Sequence, residues 1–93
     1  MLLPLDGPSI ENEIDVSTIV EIKVNALPFE ERKVITFQPQ DGKVRYGFTN
    51  SITSTQGFLV YKSQVVTIEA SSTQSVYIVS LTGTVKVYIS ERA

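Results

Sequence analysis

The chain has 93 residues, a formal net charge of −2, and neither Cys nor His. That length fits one domain with a thin core. The two absences exclude disulfides, thiolate chemistry and the commonest metal ligand, so contact with a partner is the expected source of extra support. Val, Ile and Thr supply 30 of the 93 residues, while Ala and Leu are scarce, which favours strands over helices.

Charge is unevenly placed. Residues 1–22 carry Asp6, Glu11, Glu13, Asp15 and Glu21 without a Lys or Arg, a net of −5. The remainder carries a net of +3. The plain reading is a solvated acidic stretch. The sharper reading is an acidic arm that docks on a basic surface of a partner or neighbouring subunit.

Residues 1–14 contain Pro4, Gly7 and Pro8 and show no clean period, so an extended N-terminal arm is expected there. Its Leu2, Leu3, Leu5 and Ile10 are candidate groove contacts. The opening MLLPL is too short, and lacks the preceding basic residue, for a signal peptide, and no apolar run is long enough for a membrane helix. A soluble, unprocessed protein without membrane contact is therefore expected.

From residue 15 a single β domain to residue 93 is expected. In TIVEIKVNA, Val20, Ile22, Val24 and Ala26 share one face of a half-buried strand. LPFEER turns into a strand at 33–38. Asp41–Gly42 reads as a type I′ hairpin turn into the strand KVRYGF at 43–48, whose Val44, Tyr46 and Phe48 share a core face. The polar stretch Asn50–Gln56 leads through Gly57 into GFLVY. A tight Lys62–Ser63 turn leads to QVVTIEA, SSTQ to SVYIVSL at 75–81, and Thr82–Gly83 to TVKVYIS at 84–90. The regular spacing of short strands predicts an all-β fold, a small antiparallel β-sandwich or barrel of about 6–8 strands. Lysines on several strands suit edge protection, and other edges suit closure by a neighbouring subunit.

Few groups invite chemistry. Glu30–Glu31 sit in a turn, Asp41 belongs to its own turn, and Glu69 faces out from a strand, so no carboxylate pair is set for acid–base work. Ser and Thr have no recognisable base beside them. Asp41 with loop carbonyls remains open as a calcium site, but no metal or other cofactor is expected. KVRYGF resembles a base-stacking strand, yet its rings share a face with Val44, and the isoelectric point near 5.0 opposes phosphate binding, so no nucleic acid is expected.

Tyr77 and Tyr88 alternate with apolar residues. If Val76, Ile78, Val85, Val87 and Ile89 face the core, then Tyr77, Val79 and Tyr88 form a second apolar face, suited to an interface. Asn50, Thr53 and Gln56 offer unreactive hydrogen-bonding groups to a partner. Gly57 supplies a turn that a side chain would oppose.

Several runs together carry a resemblance: RKVITFQ from Arg32, VRYGF from Val44, ITSTQGFLV from Ile52, VTIE from Val66, VYIVS from Val76 and TGTVKV from Thr82. They resemble the small all-β virion accessory proteins of tailed bacteriophages, a group that includes capsid decoration (cement) proteins and head or tail modules. Tyr46–Gly47, Gly57 and Val76–Tyr77 match the group's pattern, and Phe48 stands where a branched residue is usual. The resemblance implies a non-enzymatic structural role and a homotrimer bound to the major capsid protein or another virion protein. It places the protein on the phage head surface after synthesis in the host cytoplasm. A carbohydrate- or receptor-binding module of a tail or fibre is the alternative.

Overall fold

In the computed structural model, residues 9–22 and 30–93 are described. Among the described residues eight strands form: β1 (Ser9–Val16), β2 (Val20–Glu21), β3 (Val34–Pro39), β4 (Val44–Gly47), β5 (Phe58–Val60), β6 (Val66–Glu69), β7 (Tyr77–Ser80) and β8 (Val85–Arg92). They make two four-stranded sheets, ordered β1-β8-β3-β6 and β2-β7-β4-β5, with every neighbouring pair antiparallel.

This order has a simple origin. β1 pairs with β8, β2 with β7, β3 with β6 and β4 with β5. The chain is thus one long hairpin, wound so that β3 also meets β8 and β4 also meets β7. It is the strand order of a jelly roll, an eight-stranded sandwich built from Greek keys. The tip of the long hairpin is the loop between β4 and β5.

Alternation in sequence becomes burial in space. Ile35 and Phe37 of β3, and Val85, Val87 and Ile89 of β8, point inward from one sheet. Val44 of β4, Val60 of β5 and Ile78 of β7 point inward from the other. Burying each such side chain contributes about 1.5–3 kcal/mol relative to exposure.

Three expectations change. The first is the arm. Ser9–Val16 pairs along its whole length with β8, so the sandwich begins within residues 1–14, before residue 15. Ile14 and Val16 pack on the core as a strand of period 2. Asn12 occupies an inward register position and hides that period in the sequence. Residues 1–8, with Leu2, Leu3 and Leu5, lie outside the described residues, as does the 23–26 part of the strand expected over TIVEIKVNA.

The second is the hairpin at Asp41–Gly42. β3 and β4 lie in different sheets, so this turn crosses the sandwich. Neither residue has the positive φ that a type I′ turn needs. Instead the Lys86 N–H donates to Asp41 Oδ1 at 2.8 Å and the Gln40 N–H to the Lys86 carbonyl at 2.7 Å, continuing the β3–β8 ladder past Pro39. Gly42 is needed for close approach, because a Cβ there would lie 2.7 Å from Val85 Cγ2.

The third is the tyrosine face. β7 and β8 belong to opposite sheets. Tyr77 and Val79 therefore line the outer side of one sheet and Tyr88 the outer side of the other, and they share no surface.

Candidate interaction surface

β4 ends at Gly47 and β5 starts at Phe58, so the hairpin tip spans residues 48–57. The tip folds back on the outer side of β4. Arg45, an outward residue of β4, donates from Nε to the Ser54 carbonyl at 3.0 Å and from Nη1 to the Gly57 carbonyl at 2.9 Å. Ile52 sits directly over Gly47, where a Cβ would lie 2.5 Å from Ile52 Cγ2. Thr53 and Gln56 exchange backbone hydrogen bonds of 3.0 and 3.1 Å, closing a small turn. The Thr53 hydroxyl accepts from the Thr55 N–H at 3.2 Å, and the Thr49 and Ser51 hydroxyls meet at 2.8 Å. The Ser and Thr side chains thus replace the backbone partners that a ten-residue loop lacks.

Of the sequence candidates in this loop, Asn50, Thr53 and Gln56 are all exposed. Thr53 and Gln56 are also structural, since they close the turn. Gly57 has φ +128°, and a Cβ there would lie 3.0 Å from the Tyr46 carbonyl oxygen, which accounts for the glycine. Gly47→Val is expected to lift Ile52 off β4 and cost about 1–3 kcal/mol, as overpacked sites do. Urea unfolding gives the cost, and faster proteolysis within 48–57 reports the lifted loop.

An aromatic cluster stands at the same end. Tyr46 rests edge-to-face on the buried Phe37, with centroids 5.4 Å apart. Its strand partner Phe58 lies 5.2 Å from it and Phe48 lies 6.4 Å from it. Tyr46 is half-buried, but Phe48 is 45% and Phe58 60% exposed. The sequence places Phe48 on the core face with Val44. The ring escapes because Phe48 lies one residue beyond the last paired residue of β4. Phe58 opens to solvent because β5 is the edge of its sheet. Adjacent exposed rings mark a contact surface, and aromatic side chains are enriched at protein interfaces.

The remaining candidates lie elsewhere. Ile10 is half-buried in β1, and Tyr77 is half-buried opposite Glu21 and Gly47. The Tyr88 hydroxyl bonds the Glu11 carboxylate across β1 and β8. That hydrogen bond, with smaller effects of desolvation and the Glu11 charge, raises the Tyr88 pKa above its usual 10.0. The tie therefore holds below the unfolded pKa and is lost as pH rises through the folded one.

One arrangement has no counterpart in the sequence reading. Arg32 and Glu91 are buried side by side, with Arg32 Nη1 3.0 Å from Glu91 Oε2. The same guanidinium donates to the carbonyls of Ala70 (3.0 Å), Ile22 (3.4 Å), Ser71 (2.7 Å) and Gln74 (2.6 Å). Arg32 therefore ties together the exits of β2 and β6, the β6–β7 loop and the end of β8. Its five donor groups are matched to acceptors, as a buried guanidinium requires. The sole sequence hint is Arg32 leading its strand; Glu91 gives none, being 59 residues away.

Among the described residues no pocket opens and no three acidic residues converge as a metal site. No described helix is long and apolar enough to cross a membrane. Comparison with protein-family models, curated proteins and solved structures finds no match to this chain.

Proposed function

We propose that this chain is a non-enzymatic structural protein that works by adhesion, and that the surface it adheres to is the outside of a phage head, as a capsid decoration protein. The observation that carries the contact role is the exposed Phe48–Tyr46–Phe58 cluster, held on a buried ring beside a hydrogen-bonded loop. The phage assignment rests on the sequence resemblance. A jelly roll is compatible with it, since viral capsid domains use that fold, but lectins and cupins use it too. In this reading each subunit of a homotrimer sets its aromatic end against the major capsid protein. Three modest contacts then add through multivalency to hold the particle.

The test is binding to purified phage heads. Phe48→Ser with Phe58→Ser should lower occupancy at least tenfold while leaving the fold intact, since Phe48 is 45% and Phe58 60% exposed and neither belongs to the buried core. A double variant that decorates heads like the parent chain defeats the proposal. The N-terminal segment is tested by deleting residues 1–8 only, because a 1–14 deletion would remove most of β1. Exposed rings in one patch also favour the alternative of a carbohydrate- or receptor-binding module. There, the same double variant loses signal on a glycan array instead.

A further inference from the structure

The β1 strand is an edge. Its eight residues pair with β8 on one side, and on the other side no described residue bonds to it. Which of its backbone groups are open follows from its neighbour. The Lys86 N–H and carbonyl both point toward β3, to Asp41 Oδ1 and to the Gln40 N–H. By the alternation of an antiparallel ladder, Val85, Val87, Ile89 and Glu91 then point their backbone groups toward β1. Their partners are Val16, Ile14, Asn12 and Ile10. The open N–H and C=O groups of β1 are thus those of Glu11, Glu13 and Asp15. The Glu13 N–H agrees: it bonds Asn12 Oδ1 at 2.8 Å, a local cap available only on the open side.

Those three residues also place their carboxylates on one face of the sheet, the outer one. Asp15 meets Lys86 at 3.5 Å and Glu11 meets Tyr88. Glu13 has no ion-pair partner among the described residues. The inward positions of the same strand are Ile10, Asn12, Ile14 and Val16, and Ile10 and Ile14 are only half-buried. A long open edge invites another strand. A second copy of β1 paired antiparallel would set acidic stripe against acidic stripe, and like charges directly opposite repel.

We infer that β1 is a strand-addition edge for a basic, extended segment of a partner protein, with Lys or Arg at every second position and apolar residues between. Main-chain hydrogen bonds to Glu11, Glu13 and Asp15 supply the attachment, as in other strand-addition complexes. The partner's cations lie beside the three carboxylates on the outer face. Its apolar residues extend the inner face past Ile10 and Ile14. This goes beyond the aromatic surface by naming a second contact, on the other sheet, and the chemistry of its occupant, and its test needs no phage head, so the two readings fail separately.

The probe is a capped peptide of about eight residues alternating Lys and Val, matched in length to β1. Its control has the same composition in two blocks, which cannot set its lysines on one face. Amide exchange and titration are followed on the whole chain. The expected result is slowed exchange at the Glu11, Glu13 and Asp15 amides with the alternating peptide alone. Binding should weaken with added salt, and Glu13→Lys should weaken it about tenfold. Equal binding of the block peptide, unchanged exchange at the three amides, or unchanged affinity in Glu13→Lys overturns the inference. So does slow exchange at those amides without peptide together with a doubled mass, which would assign the edge to a second copy.

Discussion

Arg32→Ala is expected to lower the melting temperature by roughly 12–40 °C. Removing one member of a buried ion pair typically costs about 3–5 kcal/mol, and each kcal/mol shifts a domain of this size by about 4–8 °C. The total stability of a 93-residue domain is on the order of 5–14 kcal/mol. The larger question is which part of the cluster carries the cost. Replacing a buried ion pair by apolar residues of similar volume is often neutral. If the ion pair were the whole story, Arg32→Met with Glu91→Met would restore the parent stability. Here the guanidinium also holds the carbonyls of Ile22, Ala70, Ser71 and Gln74. Each buried carbonyl left unmatched costs about 1–3 kcal/mol. The double variant is therefore expected to stay about 3 kcal/mol or more below the parent chain in urea unfolding. Full recovery would show that the carbonyl clamp contributes nothing. Arg32→Lys is expected to fail as well, because an ammonium cannot span acceptors arranged for a planar fork.

That cluster also shows where the sequence stops being informative. The period-2 pattern places β3, β7 and β8 within one or two residues, because burial on one face of a strand writes directly into alternation. The connections were not legible. A turn signal such as Asp41–Gly42 reports that the chain bends. It does not report whether the next strand stays in the same sheet, which depends on the pairing of β3 with β8 some 50 residues later. The tyrosine face is misplaced for the same reason, since β7 and β8 follow one another in the chain but lie in opposite sheets. The β1 strand was hidden by one polar residue, Asn12, in an inward register position. Arg32 and Glu91 are each an ordinary charged residue locally. Their burial exists only once the long hairpin is wound and the ends of β2, β6 and β8 meet.

The aromatic surface is legible only in part, and its physics depends on a ring that no partner touches. Phe37 is fully buried in β3 between Val66 and Ile89, and its edge contact with Tyr46 links the core to Phe48 and Phe58. Phe37→Ala is expected to cost about 3–5 kcal/mol, comparable to the loss of Arg32. Phe37→Leu separates two consequences of that loss. Leucine keeps an apolar side chain but gives up the ring contact, worth about 0.5–1.5 kcal/mol beyond area. The domain should therefore stay folded while Tyr46 loses its rigid support. The chain has no Trp, and Tyr46 packs against three rings, so it should dominate the near-ultraviolet circular dichroism. Phe37→Leu is expected to remove much of that signal while the far-ultraviolet spectrum is unchanged. If the exposed rings act through a fixed geometry, the same variant must weaken surface binding although no exposed residue has changed. Binding should then fall less when Phe58→Ser is added to Phe37→Leu than when it is made alone, because both act on one cluster. Strict additivity would mean that Phe58 binds as an independent apolar group, and that the aromatic stack beneath it serves stability alone.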